Sequence, residues 1–200
     1  MTAMRINVAI CFHSGKGHTE ALAHEIAAGV ASEEGVDARV VDVTRPPVPW
    51  TSLHESDAII FGCPTHFGGV SAPMKAFLDA TDTFWRDMAW RDKIAAGFTC
   101  AGEPSGDKQS VLIALGVFAL QHGMVWVGMD PMTDVRTGAG KPEGYNIQGA
   151  YAGAMGDSDG KAVTPHSPPP SDRVTARLFG RRVARATRRW TAGGGGPVPS

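Results

Sequence analysis

The stretch RINVAICFHSGKGHTEALAHEIAAGV, residues 5–30, joins an apolar run to an amphipathic one through a short glycine-rich turn. The first run, 5–12, is nearly all apolar, which is typical of a parallel strand covered on both faces. After the turn, Leu22, Ile26 and Val30 recur at every fourth residue, which predicts a helix. The stretch therefore predicts a strand followed directly by a helix, the repeating unit of an α/β fold.

Four more apolar runs indicate strands, at 36–43, 57–62, 93–100 and 124–129. The first of these alternates polar and apolar residues, so we expect it at an edge of the sheet. Helical patterns lie between and after the runs, at 72–85, 107–123 and 172–190. Right-handed crossovers between successive parallel strands would wind this order into a doubly wound sheet.

After residue 129 the chain is rich in glycine and proline and loses its periodicity. A stretch of this length without periodicity is usually either a functional loop or a disordered segment. Its apolar residues favour an ordered loop; they are Tyr145, Ile147, Tyr151 and Met155. We expect a single domain over 1–190, with 130–171 as a long loop over the site, and a flexible tail at 191–200.

Composition excludes several function classes. The formal net charge of −1 argues against nucleic acid as the main partner. No run is long and apolar enough for a membrane span or a signal peptide, so we expect a cytoplasmic protein without membrane contact. The three cysteines, Cys11, Cys63 and Cys100, lack metal-ligand spacing and are expected to be reduced and buried, and no metal site is expected.

The last helical pattern, 172–190, carries seven arginines and one aspartate, which gives it a charge of +6 against −7 for the rest of the chain. It is interpreted as a solvated outer face that pairs with the acidic body. The alternative is a surface for nucleic acid or an anionic cosubstrate.

Ligands of open parallel sheets bind outside the carboxyl ends of the strands. The loops at that edge read HSGKGHT, CPTHFGGVSAP and AGEPSGDKQ. The first leads into a helix N-terminus, which favours a phosphate, although an ordinary glycine-rich turn would look the same. It matches neither the Walker A pattern nor GxGxxG.

The second loop offers a flat binding slot. Pro64 is rigid, Thr65 carries a hydroxyl, and His66 and Phe67 could flank a planar ring. The third loop could form the opposite wall of this slot. A phosphate site beside a shallow cleft for a flat heterocycle suggests flavin mononucleotide (FMN).

Three segments carry a family resemblance: SGKGHT, FGCPTHFGGVSAPMKAFLD and LQHGM. They resemble the flavodoxin-like NAD(P)H:quinone oxidoreductases of the WrbA type and the related FMN-dependent reductases. The resemblance implies a flavodoxin-like, doubly wound, five-stranded parallel sheet of order 2-1-3-4-5 between two helical layers.

The resemblance also implies the cofactor-binding residues. Those expected around the FMN phosphate are Ser14, Gly15, Lys16, Gly17, His18 and Thr19. Those expected around the flavin ring are Pro64, Thr65, His66, Phe67, Gly68, Cys100, Ala101, Gly102, Glu103 and Ser105. His122 is expected to approach the ring from a neighbouring subunit or the adjacent helix end, and Trp85 to lie on the substrate side.

The implied activity is two-electron transfer from NADH or NADPH to a quinone-like or other flat acceptor by a ping-pong mechanism. No side chain needs to act as a catalytic acid or base, because the cofactor carries the chemistry. The segment between the second and third strands is short, which leaves a homodimer and a homotetramer equally open. The alternatives are an electron carrier of the flavodoxin type without its own substrate, and a scaffold that has lost FMN.

Overall fold

The computed structural model describes residues 5–130 and 144–194. The strands are β1 (Ile6–Phe12), β2 (Val36–Asp42), β3 (Ala58–His66), β4 (Gly69–Val70), β5 (Ile94–Ala101), β6 (Val125–Trp126) and β7 (Ala154–Asp157). The helices are α1 (His18–Ala31), α2 (Trp50–Glu55), α3 (Ala72–Asp79), α4 (Asp82–Arg86), α5 (Lys108–Gln121) and α6 (Pro170–Ala192).

The strands form a sheet of order β2-β1-β3-β5-β6 in which all of these neighbours are parallel. The predicted order 2-1-3-4-5 is confirmed, and β2, the strand with the alternating pattern, lies at the edge. The central strands β1, β3 and β5 are almost wholly buried, because helices cover both faces of the sheet.

The fifth position of the sheet is filled by two separate segments. Val125 and Trp126 of β6 pair with the first residues of β5, and the four residues of β7 pair with its last four. The sequence interpretation placed β7 inside the loop 130–171. Its sequence, AMGD, has no β-branched residue and too few positions for a period, so only the pairing with β5 reveals the strand.

Two apolar cores lie on opposite faces of the sheet. One contains residues of α1 and α6, including Ile26 and Phe179; the other contains residues of α3 and α5, including Phe77 and Leu115. The helices α1 and α6 pack closely where they cross at Gly180. A Cβ atom on Gly180 would lie 2.0 Å from the Ile26 carbonyl oxygen, so a larger residue does not fit at that crossing.

Other boundaries differ from the sequence interpretation in detail. The helix predicted at 72–85 is divided into α3 and α4 at Thr81, whose hydroxyl donates to the Leu78 carbonyl. Helix α6 runs to Ala192, two residues into the predicted tail, and residues 195–200 lie outside the described part. Among the described helices, none combines the length and apolar character that a membrane span requires.

Candidate functional site

The loops after β1, β3 and β5 meet at one cavity of about 360 Å³ at the carboxyl edge of the sheet. The residues that line it are Ser14, Gly15, Lys16, His18, Thr19, Pro64, Thr65, His66, Cys100, Ala101, Gly102, Ser158 and Gly160. All but the last two were predicted from the sequence. The size lies in the usual range for a small-molecule site.

The first loop ends at the N-terminus of α1. Gly17 precedes the helix with a φ of 93°, in the left-handed region, and its N–H donates to Ser14 Oγ at 3.0 Å. The first intrahelical bond is donated by Ala21 to the Gly17 carbonyl. The N–H groups of His18, Thr19 and Glu20 therefore have no acceptor within the helix, which suits an anion.

His18 is buried at the bottom of this loop and lines the cavity. Its Nε2 lies 3.4 Å from Asp159 Oδ1 and makes no hydrogen bond within the described part of the chain. A buried polar atom without a hydrogen bond is costly, so this nitrogen is a natural partner for a ligand oxygen.

Residues 158–163, here called the strap, cross the first loop. Val163 N donates to the Lys16 carbonyl at 3.0 Å, and Lys16 Nζ donates to the Gly160 carbonyl. The strap begins beside the third loop, where Ser158 N donates to the Ala101 carbonyl at 2.8 Å. Through Ser158 and Gly160 the strap forms one wall of the cavity, which sequence reasoning missed because no local motif marks these two residues.

The second loop is a tight hairpin between β3 and β4. Thr65 pairs with Val70 and His66 with Gly69, which leaves Phe67 and Gly68 as the two turn residues. Both have positive φ, 50° and 70°, as a type I′ turn requires. Phe67 is fully exposed, although a bulky residue in this backbone region is strained.

Thr65 and Cys100 lie on neighbouring strands in the wall of the cavity. Thr65 Oγ1 and Thr99 Oγ1 are 2.8 Å apart, and Thr99 Oγ1 donates to the Cys63 carbonyl, which fixes both hydroxyls. Burial raises the pKa of the Cys100 thiol to about 12. The thiol is therefore protonated at neutral pH and is a poor nucleophile.

A buried ionic cluster lies behind the third loop. The Lys108 ammonium contacts Asp157 and donates to Gln148 Oε1 at 3.3 Å, and Asp172 accepts the Asp157 N–H at 2.8 Å. Lys108 and Asp172 are each 1% exposed. Burial, with the neighbouring Asp157 charge, raises the pKa of Asp172 to about 6. The cluster joins α5 and α6 to β7, and so supports the start of the strap.

Several predicted residues do not line this cavity. Glu103 and Ser105 are exposed on the third loop, Gly17 is covered by Val163, and Phe67 and Gly68 form the hairpin turn. Glu103 and Ser105 were expected at the ring because they follow β5, but the loop carries both side chains into solvent.

His122 and Trp85 line a different cavity, of about 260 Å³. The third loop precedes α5 and His122 follows it, and fourteen helical residues separate the two ends by about 20 Å. His122 does not reach the candidate site from the adjacent helix end; its Nε2 is 3.0 Å from Thr81 Oγ1, and burial lowers its pKa. An approach from a neighbouring subunit stays a prediction.

The profile of the NADPH-dependent FMN reductase family matches residues 4–134. The chain belongs to this family. Together with the quinone dehydrogenase and WrbA-like relatives described next, this match confirms the resemblance noted in the sequence. The match covers the strands, helices and loops that build most of the cavity, but not the strap.

Relatives that this FMN reductase family member matches over most of their length are named either as flavodoxins or as NAD(P)H dehydrogenases (quinone). Flavodoxin FldP of Pseudomonas aeruginosa is 34% identical, with 88% of this chain and 94% of that protein covered. An NAD(P)H dehydrogenase (quinone) of Geobacter sulfurreducens is 31% identical, with 90% and 97% covered. The crystal structure of a WrbA-like flavodoxin from Agrobacterium tumefaciens is 32% identical, with a TM-score of 0.69 and 92% and 98% covered.

Proposed function

We propose that this protein binds FMN noncovalently in the 360 Å³ cavity and transfers two electrons from NADH or NADPH to a quinone-like acceptor. The observation that carries the proposal is the convergence of three separate loops on one cavity. Free backbone N–H groups lie at one side of it, and the hairpin and the third loop form the walls of the other side. Membership of the FMN reductase family supports the same cofactor.

The residues present fit the phosphate of FMN. The N–H groups of the first turn of α1 and the His18 Nε2 supply donors for a dianion, and Ser14 lines the same cavity. The Asp159 side chain is 43% exposed, so its carboxylate can turn to solvent when a phosphate takes the place beside His18.

The hairpin and the third loop fit the flavin ring. Pro64, Thr65 and His66 form one wall, and the backbone from Cys100 to Gly102 forms another. Phe67 at the tip of the hairpin offers an exposed aromatic surface for stacking. The strained backbone of Phe67 supports a binding role for its ring, because strain of this kind clusters at ligand sites.

Bound FMN would supply the two-electron chemistry, and the chain's own residues would bind and orient it. The protonated Cys100 thiol does not offer a competing nucleophile. The nicotinamide donor and the electron acceptor would use the open side of the cavity in turn, which predicts ping-pong kinetics. Because the cofactor would carry the chemistry, point variants around the ring should weaken turnover without abolishing it.

We also propose that the protein is a homodimer that pairs through α5. This helix carries no charged residue after Lys108, and Ile113, Val117 and Leu120 form an exposed stripe at i, i+4 and i+7. An exposed apolar stripe of this kind indicates a protein interface. Because the stripe carries no charge, the same surface of a second copy can pack against it without like-charge repulsion. A partner could also present Trp85 or His122 to the flavin.

The name of FldP favours a second candidate, an electron carrier without its own substrate. Such carriers use a strongly acidic docking surface. The net charge of −1 and the cationic α6 do not favour such a surface.

Absorption and rapid kinetics test the proposal. The purified protein, loaded with FMN, should absorb near 450 nm, and mixing it with NADPH in a stopped-flow instrument should bleach that band. Steady-state rates with NADH and NADPH against a panel of quinones should give parallel double-reciprocal lines. A flavin band that NADPH and NADH leave unbleached would support the carrier instead, and no band after incubation with excess FMN would support a scaffold.

A further inference from the structure

A second cavity, of about 780 Å³, lies between α6 and the outer edge of the sheet. It is lined by Ile94 and Val125, which begin β5 and β6, so it lies at the amino-terminal edge of the strands, opposite the candidate FMN site. The charged residues that line it are Arg181, Arg182, Arg185, Arg189 and Asp130. Nothing in the proposed electron transfer uses this cavity.

Within the described part of the chain, acidic residues neutralise only part of the charge on α6. Arg177 pairs with Glu25 at 2.7 Å, away from the cavity. Arg181, Arg185 and Arg188 all pair with one buried carboxylate, that of Glu33, at 2.9, 2.8 and 3.2 Å. These pairs agree with the interpretation of α6 as a helix that pairs with the acidic body. Four arginines line the cavity, against the carboxylates of Asp130 and Glu33, which leaves a surplus of two positive charges among these six groups.

The arginines that line the cavity keep unused donors. Arg181 and Arg185 donate to Glu33 through Nε, and Arg182 donates to the Gly128 carbonyl through Nε at 2.7 Å. A guanidinium has five N–H donors, and among the described residues the Nη groups of these three arginines have no hydrogen-bond partner, which leaves donors for an oxyanion. The Nε bonds hold each guanidinium in place, which reduces the entropy that a ligand would have to overcome.

The same cavity has one aromatic wall, formed by Trp190 of α6. Trp190 is half-buried, and its Nε1 donates to the Asp92 carbonyl at 2.7 Å, so its polar atom is satisfied and its indole ring is left to contact a ligand. The Trp126 ring, by contrast, packs against α5 on the opposite face of the sheet. Aromatic rings such as that of Trp190 stack on planar heterocycles.

We propose that the cavity between α6 and β6 binds a phosphate-bearing molecule with a planar ring, of the size of a nucleotide. The arginines would bind the phosphate oxygens, because a planar guanidinium matches phosphate geometry in a way that an ammonium does not. The Trp190 indole would stack on the ring. The volume lies in the range for ligands of this size. The site is independent of FMN binding.

Isothermal titration of the FMN-loaded protein with ADP tests this, with inorganic pyrophosphate and adenosine as separate titrants. We expect ADP to bind more tightly than either, and more weakly as salt is raised. Arg182→Gln and Arg189→Gln should each weaken ADP binding about tenfold or more. Arg177→Gln, on the same helix but paired with Glu25, is the matched control and should leave ADP binding unchanged.

Two results would overturn the inference: no saturable binding of ADP, or ADP binding that Arg182→Gln and Arg189→Gln leave unchanged. Pyrophosphate binding as tightly as ADP would contradict the role of Trp190. Much tighter binding of a single-stranded oligonucleotide would favour a nucleic-acid surface and would also count against the proposal. The flavin spectrum and thermal unfolding of each variant show whether it is folded and loaded.

Discussion

Val163 covers Gly17: a Cβ atom placed on Gly17 would lie 2.5 Å from Val163 Cγ1. The two residues are far apart in sequence, and their contact seats the strap on the loop proposed for the phosphate. Gly17 also has a φ of 93°, so both its backbone and its surroundings require glycine.

Gly17→Ala should weaken FMN binding at least tenfold and lower the free energy of unfolding by about 1–2 kcal/mol, because alanine is strained at positive φ and displaces Val163. Gly15→Ala is the control for stability in the same loop, since a Cβ there would meet no protein atom within 4 Å. Quenching of flavin fluorescence gives the affinity, and chemical denaturation gives the stability. Equal stability of the two variants would contradict the role of the strap contact.

Phe67→Asn should stabilise the protein by about 1 kcal/mol and weaken FMN binding. Asparagine tolerates positive φ, and Asn-Gly is the preferred pair in a type I′ turn. The phenyl ring is fully exposed and contributes nothing to the core. Its loss should therefore lower FMN affinity without lowering the stability of the fold. Phe67→Leu, which keeps the strain and removes the ring, should weaken FMN binding without a gain in stability. Unchanged FMN affinity in both variants would remove Phe67 from the site.

Gly180→Ala should destabilise the protein by about 3 kcal/mol, because its methyl group would meet the Ile26 carbonyl and force α1 and α6 apart. Gly116→Ala in α5 is the matched helical control. Its Cβ would lie 3.7 Å from the nearest atom, of Trp126, and replacing a helical glycine by alanine should gain up to about 1 kcal/mol. Thermal unfolding of the two variants should therefore shift in opposite directions.

Asp172→Asn should flatten the pH dependence of stability between about pH 4 and pH 6. The pKa of Asp172 is raised from 3.8 to about 6 by burial, so the folded protein binds this proton more tightly than the unfolded chain. The stability that protonation supplies is fully present below pH 3.8 and is lost as the pH rises through 6. The amide keeps the oxygen that accepts the Asp157 N–H and removes the buried charge.

At pH 7 the Asp172→Asn variant should therefore gain about 1–3 kcal/mol in the free energy of unfolding. Urea unfolding at a series of pH values measures this gain. Asp79→Asn, at an exposed residue paired with Lys75, should leave the pH profile unchanged. A profile that is identical in wild type and Asp172→Asn would show that Asp172 does not titrate in this range.

Val117→Lys should dissociate the proposed dimer, since it places a charge in the middle of the exposed stripe of α5. Light scattering coupled to size-exclusion chromatography reports the molecular mass. Thr51→Lys, on the exposed surface of α2, adds the same charge elsewhere and should leave the mass unchanged. A wild-type monomer at all concentrations tested would reject the dimer itself.

The parts of the fold that were predictable are those with a strong local pattern. Apolar runs such as that ending at Phe12 identified β1 and its parallel neighbours, and the alternation around Arg39 placed β2 at the edge. By contrast, β7 depends on pairing with β5, which lies far earlier in the chain, and α2 is only six residues long. Neither leaves a periodic signal in the sequence.

In the candidate site, too, the residues with a strong local pattern were predictable and those that depend on distant pairing were not. Glycines and hydroxyl residues at strand ends identified the three loops, since parallel strands bring their carboxyl ends to one edge. Ser158 and Gly160 were missed because they reach the cavity through β7 and the strap. Trp85 and His122 were included through the resemblance, and within one chain the length of α5 separates His122 from the cavity.

The use of β7 to complete the sheet affects when the proposed cofactor site can form during synthesis. Once the ribosome has made β1 to β6, the loops after β1, β3 and β5 exist. The strap, which forms the last wall of the cavity, and α6, which covers α1, are still untranslated. A nascent chain of that length exposes one face of its sheet. If FMN binds as proposed, its capture follows the synthesis and docking of β7, the strap and α6, and not the earlier appearance of the glycine-rich turn.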